Sequence, residues 1–179
     1  RITLDGRVLM STAKGHLPLP TEALALAIAD EWSAQGATIL PYTMPLMQLA
    51  STTADWTMAK RALALAAVTR YGGSDLICYR AIAPRELVAR QHLAWDPLLD
   101  WLARHHGARL LVTEGIVPVA QPAAALTALA AAVAGLDPFA LTTLHVWTAG
   151  SGSLVLGLAL VAGHLGSDQA WALAELDDA

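Results

Sequence analysis

The sequence holds one cysteine, Cys78, one phenylalanine, Phe139, and no run of lysine or arginine. A lone cysteine excludes an internal disulfide and fits a reducing compartment. With Lys+Arg 11 against Asp+Glu 15 and a formal net charge of −4, the basic stripe that a nucleic-acid backbone demands is missing. Long apolar runs are missing too. "SLVLGLALVAG" at 153–163 falls short of the roughly 20 residues of a spanning helix, so it reads as a buried core helix. "PAAALTALAAAVAGL" is likewise short, ending at Asp137-Pro138. We therefore expect no membrane anchor, and we read no signal peptide. The HExxH motif, the Gly-Lys-[Ser/Thr] ending of a phosphate loop and the G-x-S-x-G elbow are all absent.

What remains is 55% hydrophobic and only 15% charged, over 179 residues. That is enough for one ordinary domain or two small ones. Much of the apolar excess is alanine, which favours helix. The first 20 residues differ. Ile2–Leu4 and Val8–Met10 lean towards strand around Asp5-Gly6, a pair that tolerates the positive φ angles of a hairpin turn. A two-stranded hairpin is marginal in water, so we expect its further partners upstream of Arg1. From Thr21 the period turns helical. Thr21 caps, Leu24, Ile28 and Trp32 form one stripe, and Gly36 ends it. "PYTMPLMQLAS" reads as a connector, and "ALALAAVTRYGG" as a helix stopped by Gly72-Gly73. "DLICYRAI" alternates like a strand, with Leu76 and Cys78 on one face, and "ARLLVTEGIVPV" is a second strand. Four short helices follow, divided at Gly135–Pro138, Gly150–Gly152 and Gly166-Ser167. The expectation is an α+β protein. Residues 1–20 are the remainder of an N-terminal β domain, and 21–179 form a helical domain with short strands near 75–82 and 109–117.

The stretch "QHLAWDPLLDWLARHH" (91–106) is the densest in chemistry. Proline disfavours a helical residue before it and is tolerated at a first helical position. The residues thus predict one helix from about Pro84 to Ala94 and a restart capped by Asp96. Two readings of Trp95 and Asp96 stand: contacts for a partner, or a core anchor and a cap. Asp30-Glu31 beside Trp32 offers the same choice between a contact patch and a solvated face over a packed tryptophan. His92 meets Asp96 only if the helix runs through Pro97, and adjacent His105 and His106 make a poor chelate. Ser151 and Ser153 in "TAGSGSLV" read best as a helix-capping link, and Cys78 as a buried structural thiol. The six tryptophans, at 32, 56, 95, 101, 147 and 171, suit a surface that meets proteins as well as they suit a core.

Taken in order, "LDGR" (4–7), "LPT" (19–21), "EW-AQ" (31–35), "MPL" (44–46), "D-ICYR" (75–80), "L---Q---WDPLLDW" (87–101), "SGSLVLGLAL" (151–160) and "AW-L--LD" (170–177) span nearly the whole chain. This set resembles the assembly chaperones of the ATP-twelve type, which serve the F-type ATP synthase. The resemblance implies an amino-terminal β domain, a carboxy-terminal helical domain and no nucleotide hydrolysis. It also implies a client, the unassembled α subunit, whose surface for the β subunit is shielded until that subunit arrives. It further implies a bacterial cytoplasmic protein, or a mitochondrial matrix one among eukaryotic relatives. Glu31-Trp32 and Trp95-Asp96 match the family motif residue for residue. Asp177 and Asp178 stand where relatives carry glutamates, and relatives continue beyond this point. The shorter side chains keep the charge and lose reach.

The expectation is thus a monomeric chaperone for the α subunit, not an enzyme. It uses no cofactor or metal, engages neither nucleic acid nor membrane, and meets its partner through Glu31, Trp32, Trp95, Asp96, Asp177 and Asp178. The alternative is a small hydrolase or transferase using Asp96, His92 and Ser153, which requires those three groups to converge in one pocket.

Overall fold

The computed structural model describes residues 2–177, and Asp178 lies outside them. The chain forms two compact units, Arg1–Arg61 and Ala62–Ala179, so the first two helices group with the hairpin.

In the first unit, β1 (Thr3–Leu4) pairs antiparallel with β2 (Arg7–Val8). Asp5 at φ 50 and Gly6 at φ 78 make the turn, as the Asp-Gly pair predicts. Helix α1 (Glu22–Ser33) starts where Thr21 Oγ1 accepts from Leu24 N at 3.2 Å. Its stripe turns Ile28 fully inward and leaves Leu24 and Trp32 half-buried. The helix ends at Ala34, in right-handed geometry, rather than at Gly36. The expected connector is partly helical. A 3-10 turn at Pro41–Thr43 leads into α2 (Pro45–Thr52), with Pro45 at a first-turn position where a missing N–H costs nothing.

Helix α2 passes into a π-helical turn, Thr53–Thr57, closed by Met58 N donating to Thr53 O at 2.9 Å. That wide turn presents Asp55 to the loop after the hairpin. Ser11 Oγ donates to Asp55 Oδ1 at 2.5 Å, and Ala13 N donates to Oδ2 at 2.9 Å. The loop closes on itself through Gly15 N, which donates to Ser11 Oγ at 2.9 Å.

The second unit contains α3 (Arg61–Thr69) in all but its first residue, and a 3-10 turn, Arg70–Gly73, follows at the paired glycines. The expected strand at 75–82 is mostly a turn. Asp75 Oδ1 accepts from Ile77 N at 3.3 Å and nucleates a 3-10 segment, Leu76–Cys78, leaving β3 only Tyr79–Arg80. A capping carboxylate thus overrides the alternation. β3 pairs parallel with β4 (Thr113–Glu114).

The expected break at Asp96-Pro97 is absent. One helix, α4 (Arg85–His106), runs through Pro97 and stops at Gly107, φ 68. Pro97 leaves the Leu93 carbonyl without its helical donor. Pro97 is exposed and Leu93 is 81% exposed, so water reaches that carbonyl and the usual penalty shrinks. The four expected helices follow as α5 (Ala123–Ala134), α6 (Pro138–Ser151), α7 (Leu154–Val161) and α8 (Ser167–Ala174). Trp95, Leu102, Leu129, Leu141, Leu144 and the almost wholly buried α7 build the core. Trp101 is clasped by aromatic rings, His105 stacked at 5.2 Å and His164 stacked at 5.0 Å between centroids. No helix among the described residues is long and apolar enough to cross a membrane.

Helices α6 and α7 pack closely at Gly157, where a Cβ would lie 2.5 Å from Leu144 Cδ1 and 2.8 Å from Trp147 Cδ1. Gly157→Ala gains helix propensity but overpacks a closed site. We expect a net loss of about 1–3 kcal/mol in urea unfolding.

Candidate functional site

Glu31 and Trp32, in the first unit, share the end of α1. The α2 N-terminus has no side-chain cap of its own. Glu31 supplies one: its Oε1 accepts from Leu46 N at 2.7 Å and its Oε2 from Met47 N at 2.8 Å. A carboxylate there satisfies orphan donors and complements the helix dipole. Both Glu31 oxygens are therefore occupied within the fold. Trp32 lines a groove of 280 Å³ together with Met10, Ile39, Pro41, Met44 and Met47, and its buried Nε1 has no hydrogen-bond partner among the described residues.

Trp95 and Asp96, in the second unit, part company. Trp95 has no exposed surface, and its Nε1 donates to Leu173 O at 3.0 Å. The reading of Trp95 as a core anchor is the one its burial fits, and the reading of Asp96 as a helix cap fails because α4 continues. Asp96 is instead a half-exposed carboxylate shared by two bases. His92 Nδ1 lies 2.8 Å from Oδ2, the pairing that an unbroken helix permits, and Arg80 Nη2 lies 2.8 Å from Oδ1. The Arg80–Asp96 contact is a close ion pair across the edge of the interior.

Arg80 is the residue that sequence reasoning gave no role. It is buried, with 2% of its surface exposed, stacks 5.2 Å over the Trp95 ring, and donates through Nη1 to Gln91 O at 2.9 Å. Burial pulls its pKa down from the ordinary guanidinium value, and the Asp96 charge, with Asp177 behind it, pushes back. The signal was a charged residue inside the apolar run "LICYRAIA". Gln91, equally overlooked, is 1% exposed. Its Oε1 accepts from Ala81 N at 2.7 Å and its Nε2 donates to Asp177 Oδ1 at 2.5 Å. Asp177 itself is exposed.

Ser153 does not join the His92–Asp96 pair. Its buried Oγ donates to Asp75 Oδ1 at 2.7 Å and accepts from Leu156 N at 3.1 Å, capping α7. Asp75 Oδ2 accepts from Val155 N at 3.0 Å. The hydrolase reading is thereby dismantled, since its serine is tied to a different carboxylate and closed off from solvent. Burial pushes the Cys78 thiol up to about 12, helped by the nearby Asp75 charge, which removes thiolate character at neutral pH.

Comparison with known proteins gives a consistent result. Residues 1–103 match the family model described as ATP12 chaperone protein. The structure of Atp12 from Paracoccus denitrificans is similar, with 45% identity and a TM-score of 0.93, over 98% of this chain and 76% of that one. A D202K mutant of the P. denitrificans Atp12p matches at 44% identity and TM-score 0.93, over 98% of this chain and 75% of that one. The Atu1473 protein of Agrobacterium tumefaciens, described as a putative chaperone, matches at 41% identity and a TM-score of 0.91, over 98% of this chain and 66% of that one.

Two outcomes follow from the geometry. Asp96→Ala strips Arg80 of its countercharge. Allowing for the half-exposure of Asp96, it costs about 1–3 kcal/mol in denaturant unfolding, and adding Arg80→Met recovers part of the loss. Asp75 is wholly buried, and desolvation lifts its pKa from 3.8 to about 6 against the pull of its hydrogen bonds. A raised folded-state pKa contributes stability that is full below about pH 4 and lost as pH rises through 6. Lowering pH from 7.5 to 4.5 therefore shifts the stability difference towards wild type and away from Asp75→Asn by about 2 kcal/mol, read from paired urea titrations.

Proposed function

The chain belongs to the ATP12 chaperone protein family, and on that footing we propose that it binds the unassembled α subunit of the F-type ATP synthase head. It covers that subunit's interface until a β subunit takes its place. Membership of the family carries the reading. An unpartnered subunit exposes a broad apolar face, and such faces aggregate. A holder has to grip that face and still yield to the true partner, which favours modest contacts of mixed polarity.

The surface of this chain is suited to that work. Ile82, Leu93 and Ile116 are exposed by 74%, 81% and 92%, and the Trp32 groove adds methionines, whose flexible thioethers adapt to varied shapes. Half-exposed Asp96 and exposed Asp177 supply negative charge. In this reading they meet cationic groups of the client, Trp32 meets an apolar one, and Glu31 and Trp95 act by supporting the elements that carry the others. Asp178 shares the role assigned to Asp177. The protein works in the cytoplasm, as a monomer and without a cofactor.

The test is direct. Mixed with isolated α subunit, the purified chain gives a soluble complex, lowers light scattering on warming, and binds less tightly as salt screens the acidic contacts. No complex and undiminished scattering would sink the proposal.

A further inference from the structure

The turn after α8 is held from a single direction. Trp95 Nε1 donates to Leu173 O at 3.0 Å, Arg90 Nη2 to Leu176 O at 2.7 Å and Gln91 Nε2 to Asp177 Oδ1 at 2.5 Å. All three donors stand on α4, and Gln91 and Trp95 are one helical turn apart on the same face. Neither Leu173 O nor Leu176 O lies at a position where a continuing helix supplies a donor, because α8 stops at Ala174.

Gln91 is held on more than one side. Its Oε1 is taken by Ala81 N at 2.7 Å and its backbone oxygen by Arg80 Nη1 at 2.9 Å. The side chain is buried, so the amide cannot exchange these partners for water. With its oxygen committed to a backbone donor, the amide has only its NH₂ to offer on the other side, and that side holds the Asp177 carboxylate. A glutamate here keeps the Ala81 bond and confronts Asp177 with a like charge. A methionine keeps the volume and offers no donor.

We infer that Gln91 is a positioning residue for client binding: through its amide it fixes the Asp177 carboxylate, and with Arg90 and Trp95 it fixes the whole 173–177 turn, in the geometry that meets a cationic group of the client. The inference rests on the reading that this chain binds the α subunit through Asp177. It adds that a buried residue, unable to touch any partner, governs that contact.

The experiment uses the full chain with isolated α subunit and reads two quantities, amide hydrogen exchange at Glu175–Asp177 and affinity for the client. Gln91→Met, which preserves packing, speeds exchange at the turn and weakens the complex about tenfold, while exchange in α6 and α7 stays at wild-type rates. Gln91→Glu does the same more strongly. Gln91→Glu with Asp177→Asn exchanges donor for acceptor across the same gap, so turn protection returns while affinity stays low because the charge is gone. Unchanged exchange in Gln91→Met overturns the inference, as does a loosened turn with wild-type affinity. If the double substitution binds as well as wild type, the Asp177 contact is wrong. If wild type forms no complex, the chaperone reading and the inference fall together.

Discussion

A guanidinium with almost no exposed surface imposes conditions on everything around it. Arg80 lies in β3, two residues beyond a 3-10 segment in which Ile77 and Cys78 are buried, and its side chain enters the interior of the second unit. An unpaired charge there costs several kcal/mol, and the fold offsets it with three kinds of partner at once. Asp96 gives a countercharge, the Gln91 carbonyl an acceptor and the Trp95 ring a negative face. All three come from α4, and they need its residues 91, 95 and 96 on one continuous helix. Breaking α4 at Pro97 would cap the second half with Asp96 and take it from Arg80. The ion pair and the unbroken helix therefore sustain each other.

This explains why the two halves of the "WDP" motif do different work. Trp95 turns inward, where it packs, stacks under Arg80 and holds Leu173. Asp96 reaches the surface with one oxygen on a buried cation and the other beside His92. The first unit shows the same division in "EW". Glu31 stabilises the start of α2, and Trp32 shows part of its ring to a groove. In each pair of neighbours one residue builds the element and the other keeps part of its side chain open to solvent.

Much of the fold was legible from punctuation. Asp5-Gly6, Thr21, Asp137-Pro138 and Gly152-Ser153 act locally, through backbone preferences and caps, and each lies where an element begins or turns. What could not be read depends on partners far along the chain. Pro97 is tolerated because the carbonyl it frees faces water, which sequence does not show. Asp75 and Arg80 sit in apolar stretches and are answered by Ser153 and Asp96, residues 78 and 16 positions away. The family motifs marked Gln91 and Arg80 as letters, yet only the geometry gave them roles. Asp177 was legible as an acid near the C-terminus but not as a group already held by a buried amide.

The π-helical turn at Thr53–Thr57 carries a consequence for how this chain tolerates length changes. Such a turn accommodates one residue more than regular helix needs for the same advance. Removing a single residue from it would let the segment relax into ordinary α geometry, at little cost in backbone bonding. The excision would nonetheless rotate Asp55 by about 100° and unfasten the Ser11–Gly15 loop that it clamps. Residue count in this short span is thus constrained along with the identity of Asp55, an indel-sensitive spot inside what looks like uninterrupted helix.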